Sequence, residues 1–227
     1  MDTRPDTARP SLRDLAYRSI RDLIVTVQLE PGTIVREDDL QQRLGIGRTP
    51  VREALQRLEA EQFVAVIPRR GVLVSGVDVS ELSMLLETRM VLEPYAARLA
   101  AVRGSRTHWA AMEDALGHEP DDPQGQLATD RRCHEVMWAA AGNRFLVNTL
   151  DTLYAQSDRL WHMYLSDVEA MADAVDDHRA VLAALRHGDP EEAARLMVAH
   201  IQSFDAQIRA AVARRLEHPL ALTVGDS

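Results

Sequence analysis

The sequence predicts a mainly helical protein in two parts, a small head of three helices and a β-hairpin followed by an antiparallel all-α bundle of about six helices. Three observations carry that expectation. Hydrophobic residues make up 46% of the 227 positions and aromatics only 4%, a balance rich in Ala, Leu and Arg that favours helices with real cores. Apolar residues recur at i, i+3, i+4 and i+7 through most of the chain. The β-prone runs flank one turn and lie before residue 77.

Residues 1 to 10 hold two prolines and alternating charges with almost no apolar surface, and they read as a mobile arm. Leu12, Leu15, Ile20, Leu23, Ile24 and Val27 give a first helix from Leu12 to Leu29, stopped by Pro31-Gly32. Leu40, Leu44 and Ile46 repeat the spacing over a short acidic segment that Gly45 ends. A third helix starts at about residue 48, because Pro50 suits a first turn where its missing N–H would have had no partner. Val51, Ala54, Leu55 and Leu58 are its apolar face. Phe63 to Ile67 and Val72 to Val74 are joined by the turn Pro68-Arg69-Arg70-Gly71, which makes a β wing.

Gly76-Val77-Asp78-Val79-Ser80 breaks the pattern, so a boundary falls there, with a head over 11 to 77 and a bundle over 78 to 227. Asp78 or Ser80 is the expected cap of the next helix. The bundle helices are expected at 79 to 102, 106 to 117, 124 to 141, 144 to 165, 168 to 187 and 190 to 215. Their breaks are Gly104-Ser105, Pro120 to Gly125, Gly142-Asn143 and Gly188-Asp189-Pro190, in which Asp189 caps a helix that begins on proline.

A net charge of -9 looks wrong for a nucleic-acid binder until the chain is divided. Residues 1 to 77 hold 12 Arg against 11 acids, and the remainder 14 Arg against 24 acids, so attraction to phosphates must come from a local Arg cluster. The single Cys133 excludes an internal disulfide. No stretch is apolar enough to span a bilayer, and the N-terminus lacks a signal-peptide core, which makes the cytoplasm the expected location.

The third helix carries the first chemistry. Arg48, Thr49, Arg52 and Gln56 project away from its apolar face, and its free first-turn N–H groups face an anion. It reads as a DNA recognition helix in a winged helix-turn-helix, with Arg69, Arg70 and Gly71 at the wing tip as further DNA contacts. The order GRTPVREAL then PRRGVLV, over roughly residues 12 to 76, resembles the GntR family of bacterial transcription regulators. Gly47 stands where that family usually has Ser, and Gln62 where it usually has Gly, so Gln62 must turn from helix to strand without glycine's ease at positive φ. Asp38 and Asp39 occupy a place where some relatives put a phosphate-contacting Arg.

The bundle's chemistry lies in four residues. Asp130 and His134 are i and i+4 and share one helix face. His178 and His200 flank the turn at 188 and 189, each about eleven positions from it, so an antiparallel hairpin sets them at one level. Three imidazoles and a carboxylate are the ligand set of a divalent transition metal such as zinc, with nickel an alternative. The same residues, in DRRCH, DDHRAVLAALRHGDPEEA and MVAHI, resemble the FCD ligand-binding domain of the FadR-type branch of GntR regulators, and six helices point to the VanR-like subgroup. Cys133, where the family has an aromatic, points about 100° away from His134 and is read as packing. His108, His118, His162, His187 and His218 share no such spacing and are expected to be exposed or at helix ends.

Arg89 and Glu93 resemble the family's Arg-x-x-x-Glu signature, which implies Arg89 as a contact for a small carboxylate effector. An ordinary surface i,i+4 pair would not demand an Arg inside the apolar run Met90, Val91, Leu92. An enzyme is disfavoured: His134-Glu135-Val136-Met137-Trp138 falls one His short of HExxH, and there is no nucleophile elbow, Walker loop or dinucleotide fingerprint. The expected protein is a ligand-responsive repressor, a homodimer on a palindromic operator. The alternatives are a regulator that senses the metal alone and, behind it, a metal-dependent hydrolase.

Overall fold

The computed structural model describes residues 11–76, 79–118, 122–164 and 172–217. The chain divides into two compact units, Met1–Val77 and Asp78–Ser227. The first holds α1 (Leu12–Val25), β1 (Ile34–Val35), α2 (Glu37–Leu44), α3 (Arg48–Ala60), β2 (Val64–Ile67) and β3 (Gly71–Val74). Ser11 caps α1 by accepting from the Asp14 N–H, and Ala16, Tyr17, Ile20 and Ile24 bury its inner face. The helix stops at Val25 and does not run to Leu29: the Thr26 hydroxyl donates to the Asp22 carbonyl at 2.6 Å and Val27 turns to φ 58°. Leu12 and Leu15, placed by spacing on the buried stripe, are exposed.

Gly45, at φ 64°, ends α2 in the left-handed region, and Gly47 starts α3, which buries Val51, Ala54, Leu55 and Leu58. Gln62 takes φ 65° at the turn into β2, strain that the family's glycine would avoid. The sheet is antiparallel in the order β1-β3-β2, with Val66 opposite Val72 and Val35 opposite Val72 on the other side. β1 is too short for any periodicity to announce it. Gly71 sits at φ 126°, and a Cβ there would lie 2.7 Å from the Val35 carbonyl oxygen, so no other residue fits.

The second unit holds a 3₁₀ turn (Val79–Glu81) and α4 (Leu82–Arg103), α5 (Arg106–Gly117), α6 (Pro123–Ala141), α7 (Arg144–Tyr164), α8 (Ala172–His187) and α9 (Pro190–Glu217). The 3₁₀ turn takes the residues expected to open α4, which starts at Leu82 without a side-chain cap. The alternative cap Asp78, the start of α8 at 168 and His218 lie outside the described residues. Asp122 caps α6 through the Gly125 N–H, and Asp189 accepts from Glu192 N–H at 3.0 Å at the head of α9. Trp138, Trp161, Met112 and Met197 fill the core. No helix among the described residues is long and apolar enough to cross a membrane.

Candidate metal centre and candidate nucleic-acid interface

Two local rules bring the four bundle residues together. The i,i+4 spacing on α6 stacks Asp130 under His134, and Gly188 at φ 67° closes the α8–α9 hairpin that sets His178 beside His200. All four are buried, and one ligand atom of each lies within 4.8 Å of the others. His134 Nε2 is 3.2 Å from His200 Nε2, and Asp130 Oδ1 is 2.8 Å from His178 Nε2 and 3.3 Å from His200 Nε2. Spacings of this size are what ligands about 2.0–2.2 Å from a common ion produce.

The outer atoms decide what the inner ones are. His134 Nδ1 lies 2.6 Å from Glu93 Oε2, and His200 Nδ1 lies 3.4 Å from Asp177 Oδ2. A carboxylate beside each outer nitrogen favours the tautomer protonated there, although His134 Nδ1 and Glu93 Oε2 are not aligned for a hydrogen bond, and that tautomer turns the inner lone pairs toward each other. Two lone pairs 3.2 Å apart in a dry core repel unless a cation or a proton lies between them. Tyr154 Oη donates to Asp130 Oδ2 at 2.5 Å, which leaves Oδ1 for the centre. This is the donor set of a metal site with outer carboxylates beside two of its three imidazoles, while the outer Nδ1 of His178 is buried without a hydrogen-bond partner.

Electrostatics agree. Burial alone would raise the Asp130 carboxyl, but His134 and His178 outweigh it and hold it well below the usual range. Burial pushes His178 down to about 4, helped by the neighbouring His200. Burial also opposes charge on His200, yet its hydrogen bonds to Asp130 and Asp177 raise it to about 9. A proton thus holds the cation's place when none other is bound. Glu93, fully buried, is brought down to about 2 against its burial by Arg89 and His134.

Arg89 is buried rather than a surface partner of Glu93: its Nε donates to Glu93 Oε1 at 2.5 Å, and its guanidinium carbon is 5.1 Å from the Tyr154 ring centre. Its Nη1 is buried without a hydrogen-bond partner. Glu93 therefore joins Arg89 to His134, a link that spacing along one helix could not reveal. Cys133 packs in the core, its thiol pushed up by burial and by Asp130. Among the outlying histidines His162 lies in the last turn of α7, partly buried with Nδ1 3.2 Å from Asp158, which raises it against the effect of burial. His118 and His187 are exposed, and His108 is half-buried in the first turn of α5.

On the first unit, Arg48, Thr49 and Arg52 stand exposed on α3, whose N-terminal N–H groups have no side-chain cap. Glu37, at the start of α2, accepts from Arg52 Nε at 2.7 Å and lies 3.9 Å from Arg48 Nε. That contact fixes the Arg52 side chain through Nε and leaves its two terminal nitrogens for another acceptor. Arg69 and Arg70 are exposed at the hairpin tip, Arg69 at φ 66° beside Gly71. Nothing in the sequence singled out Glu37, because its role depends on α2 crossing α3. If Arg52 makes a bidentate base contact, Arg52→Ala should lower operator affinity by about 1–3 kcal/mol. Fluorescence anisotropy on an operator duplex reads this, and equal binding by variant and parent removes the assignment.

Comparison with known proteins gives consistent matches for both units. The model for bacterial regulatory proteins of the gntR family matches residues 12–74, and the FCD domain matches residues 84–203. An HTH-type transcriptional regulator of Agrobacterium vitis is 33% identical over 136 residues, 56% of this chain and 78% of that one. The HTH-type transcriptional repressor RspR of Escherichia coli is 25% identical over 198 residues, 85% of this chain and 87% of that one. Among solved structures, E. coli McbR/YncC superposes with a TM-score of 0.77 at 22% identity, covering 88% of this chain and 98% of its own.

Proposed function

The chain belongs to the GntR family of bacterial regulatory proteins and carries an FCD domain behind its DNA-reading head, and from that footing we propose that this transcription regulator is a repressor whose bundle holds a divalent transition metal, zinc before nickel, beside a site for a small carboxylate. Asp130, His134, His178 and His200 hold the ion. A bound divalent cation supplies Lewis-acid attraction for a ligand oxygen. Arg89 offers its buried, unpartnered Nη1 to the same carboxylate. The observation that carries the metal reading is the pair of inward imidazole nitrogens 3.2 Å apart, each with its outer nitrogen turned to a carboxylate.

In the head, Arg48, Thr49 and Arg52 read the major groove while Arg69, Arg70 and the close-packed Gly71 set the wing against the adjoining backbone. Two such heads in a homodimer meet a palindromic operator. The effector regulates only by binding two states of the dimer unequally, and relief of repression is the outcome proposed, in keeping with the name of the E. coli relative.

The test begins with metal analysis of the purified protein, followed by operator binding in saturating metal with a panel of mono- and dicarboxylates. A carboxylate that weakens operator binding and raises the melting temperature supports the reading, since a ligand of the folded state stabilises by mass action. Operator release that follows free zinc or nickel and ignores every carboxylate makes the protein a metal sensor instead.

A further inference from the structure

Tyr154 is not one of the four ligand residues, yet it touches one of them. It is buried on α7, with its ring 5.0 Å from that of His134, 5.6 Å from that of Trp138 and 5.1 Å from the Arg89 guanidinium carbon. Neighbours from two other helices thus hold the ring, so the direction of its hydroxyl is set by packing before any ligand arrives.

What the hydroxyl touches gives it a task. A carboxylate can present an ion with one oxygen or with both. The two oxygens of Asp130 are used differently: Oδ1 lies 2.8 Å from His178 Nε2 and 3.3 Å from His200 Nε2, whereas Oδ2 accepts from Tyr154 Oη at 2.5 Å and is 3.8 Å from His134 Nε2. An O–H···O⁻ bond of that length is charge-assisted and roughly twice as strong as a neutral one. An oxygen so engaged is a poor second ligand, because turning to the ion means giving up that bond. Three imidazoles and one oxygen then make four donors, and a divalent transition ion that accepts five or six keeps room for a ligand's oxygens. With both Asp130 oxygens bound, one of those positions is filled. The donor set also gains hard-oxygen character, which suits manganese more than zinc or nickel.

We propose that Tyr154 is a positioning residue that confines Asp130 to one oxygen, and thereby keeps a coordination position free for the carboxylate effector and the centre selective for nitrogen-preferring metals; the inference rests on the metal centre proposed above and specifies what holds it open.

Tyr154→Phe tests it, since phenylalanine keeps the ring against His134, Trp138 and Arg89 and removes the hydroxyl alone. The full chain is loaded with cobalt as a spectroscopic probe and titrated with acetate, and zinc is competed against manganese. In the variant the visible cobalt bands are expected to weaken, as they do when coordination number rises. Acetate binding should fall at least ~10-fold, and the preference for zinc over manganese by a similar factor. A merely structural tyrosine would lower the affinity for both metals together and leave their ratio and the cobalt bands alone. Unchanged cobalt bands or an unchanged acetate affinity overturns the proposal. Should the variant not fold, infrared difference spectra of the loaded against the metal-free parent, with isotope-labelled aspartate carboxylates, decide by themselves. A wide separation of the two carboxylate stretches marks binding through one oxygen and is expected, whereas a narrow one overturns the proposal while the metal centre survives. A parent that takes up neither cobalt nor zinc overturns the metal centre as well.

Discussion

His178→Ala together with His200→Ala is expected to strip the metal from the bundle and leave operator binding largely intact. Four-ligand structural sites bind zinc with about 10–16 kcal/mol at neutral pH, and removing two imidazoles leaves a carboxylate and one ring, a loss of affinity on the order of 10³-fold or more. Metal content by mass spectrometry should fall from about one ion per chain to under about a tenth. Retention of a full complement would show that the ion lies elsewhere. The parent carries a second expectation. Because His200 is raised to about 9, it must give up a proton to become a ligand, so metal affinity should climb with pH, roughly tenfold per unit between pH 7 and 9. His178, lowered to about 4, is already neutral there and adds no further slope. Competition against a chromophoric chelator at pH 7 and pH 8 reads the difference, and a flat response would contradict a proton on His200.

The four centre residues were legible because both rules that unite them are local: one turn of helix for Asp130 and His134, and the mirror symmetry of a hairpin about Gly188 for His178 and His200. Their supports were not. Glu93 reaches His134 from α4, and Tyr154 reaches Asp130 from α7, contacts fixed by how helices far apart in sequence pack, for which periodicity carries no signal. The same limit hid Glu37 behind Arg52. Element existence followed from the apolar repeats, whereas ends depended on hydrogen bonds made by single side chains. Thr26 closes α1 before the apolar repeat ends, and the 3₁₀ turn at Val79–Glu81 delays α4 because no side chain caps it.

Replacing Glu93 should separate the stability of the bundle from its affinity for metal. In Glu93→Ala, Arg89 keeps its charge at 1% exposure and loses the carboxylate at 2.5 Å that compensates it. Breaking a buried pair from one side costs about 3–5 kcal/mol, which for a protein of this size lowers the melting temperature by about 10 °C. The sign with pH follows from Glu93 itself, whose folded pKa of about 2 lies below its ordinary value of 4.5. Its contribution is fully present above that ordinary value and is lost as pH falls toward 2, so parent and variant should converge in acid. Glu93→Gln behaves differently. Its amide can still accept from Arg89, but the remaining –NH₂ then faces His134 Nδ1, and two donors cannot share that contact. His134 must move its proton to Nε2, inside the centre, where it can no longer serve as a ligand. Metal affinity should therefore drop about 10–100-fold with a smaller loss of melting temperature than in the Ala variant. Equal metal affinity in Glu93→Gln and the parent would mean that His134 keeps its tautomer without Glu93.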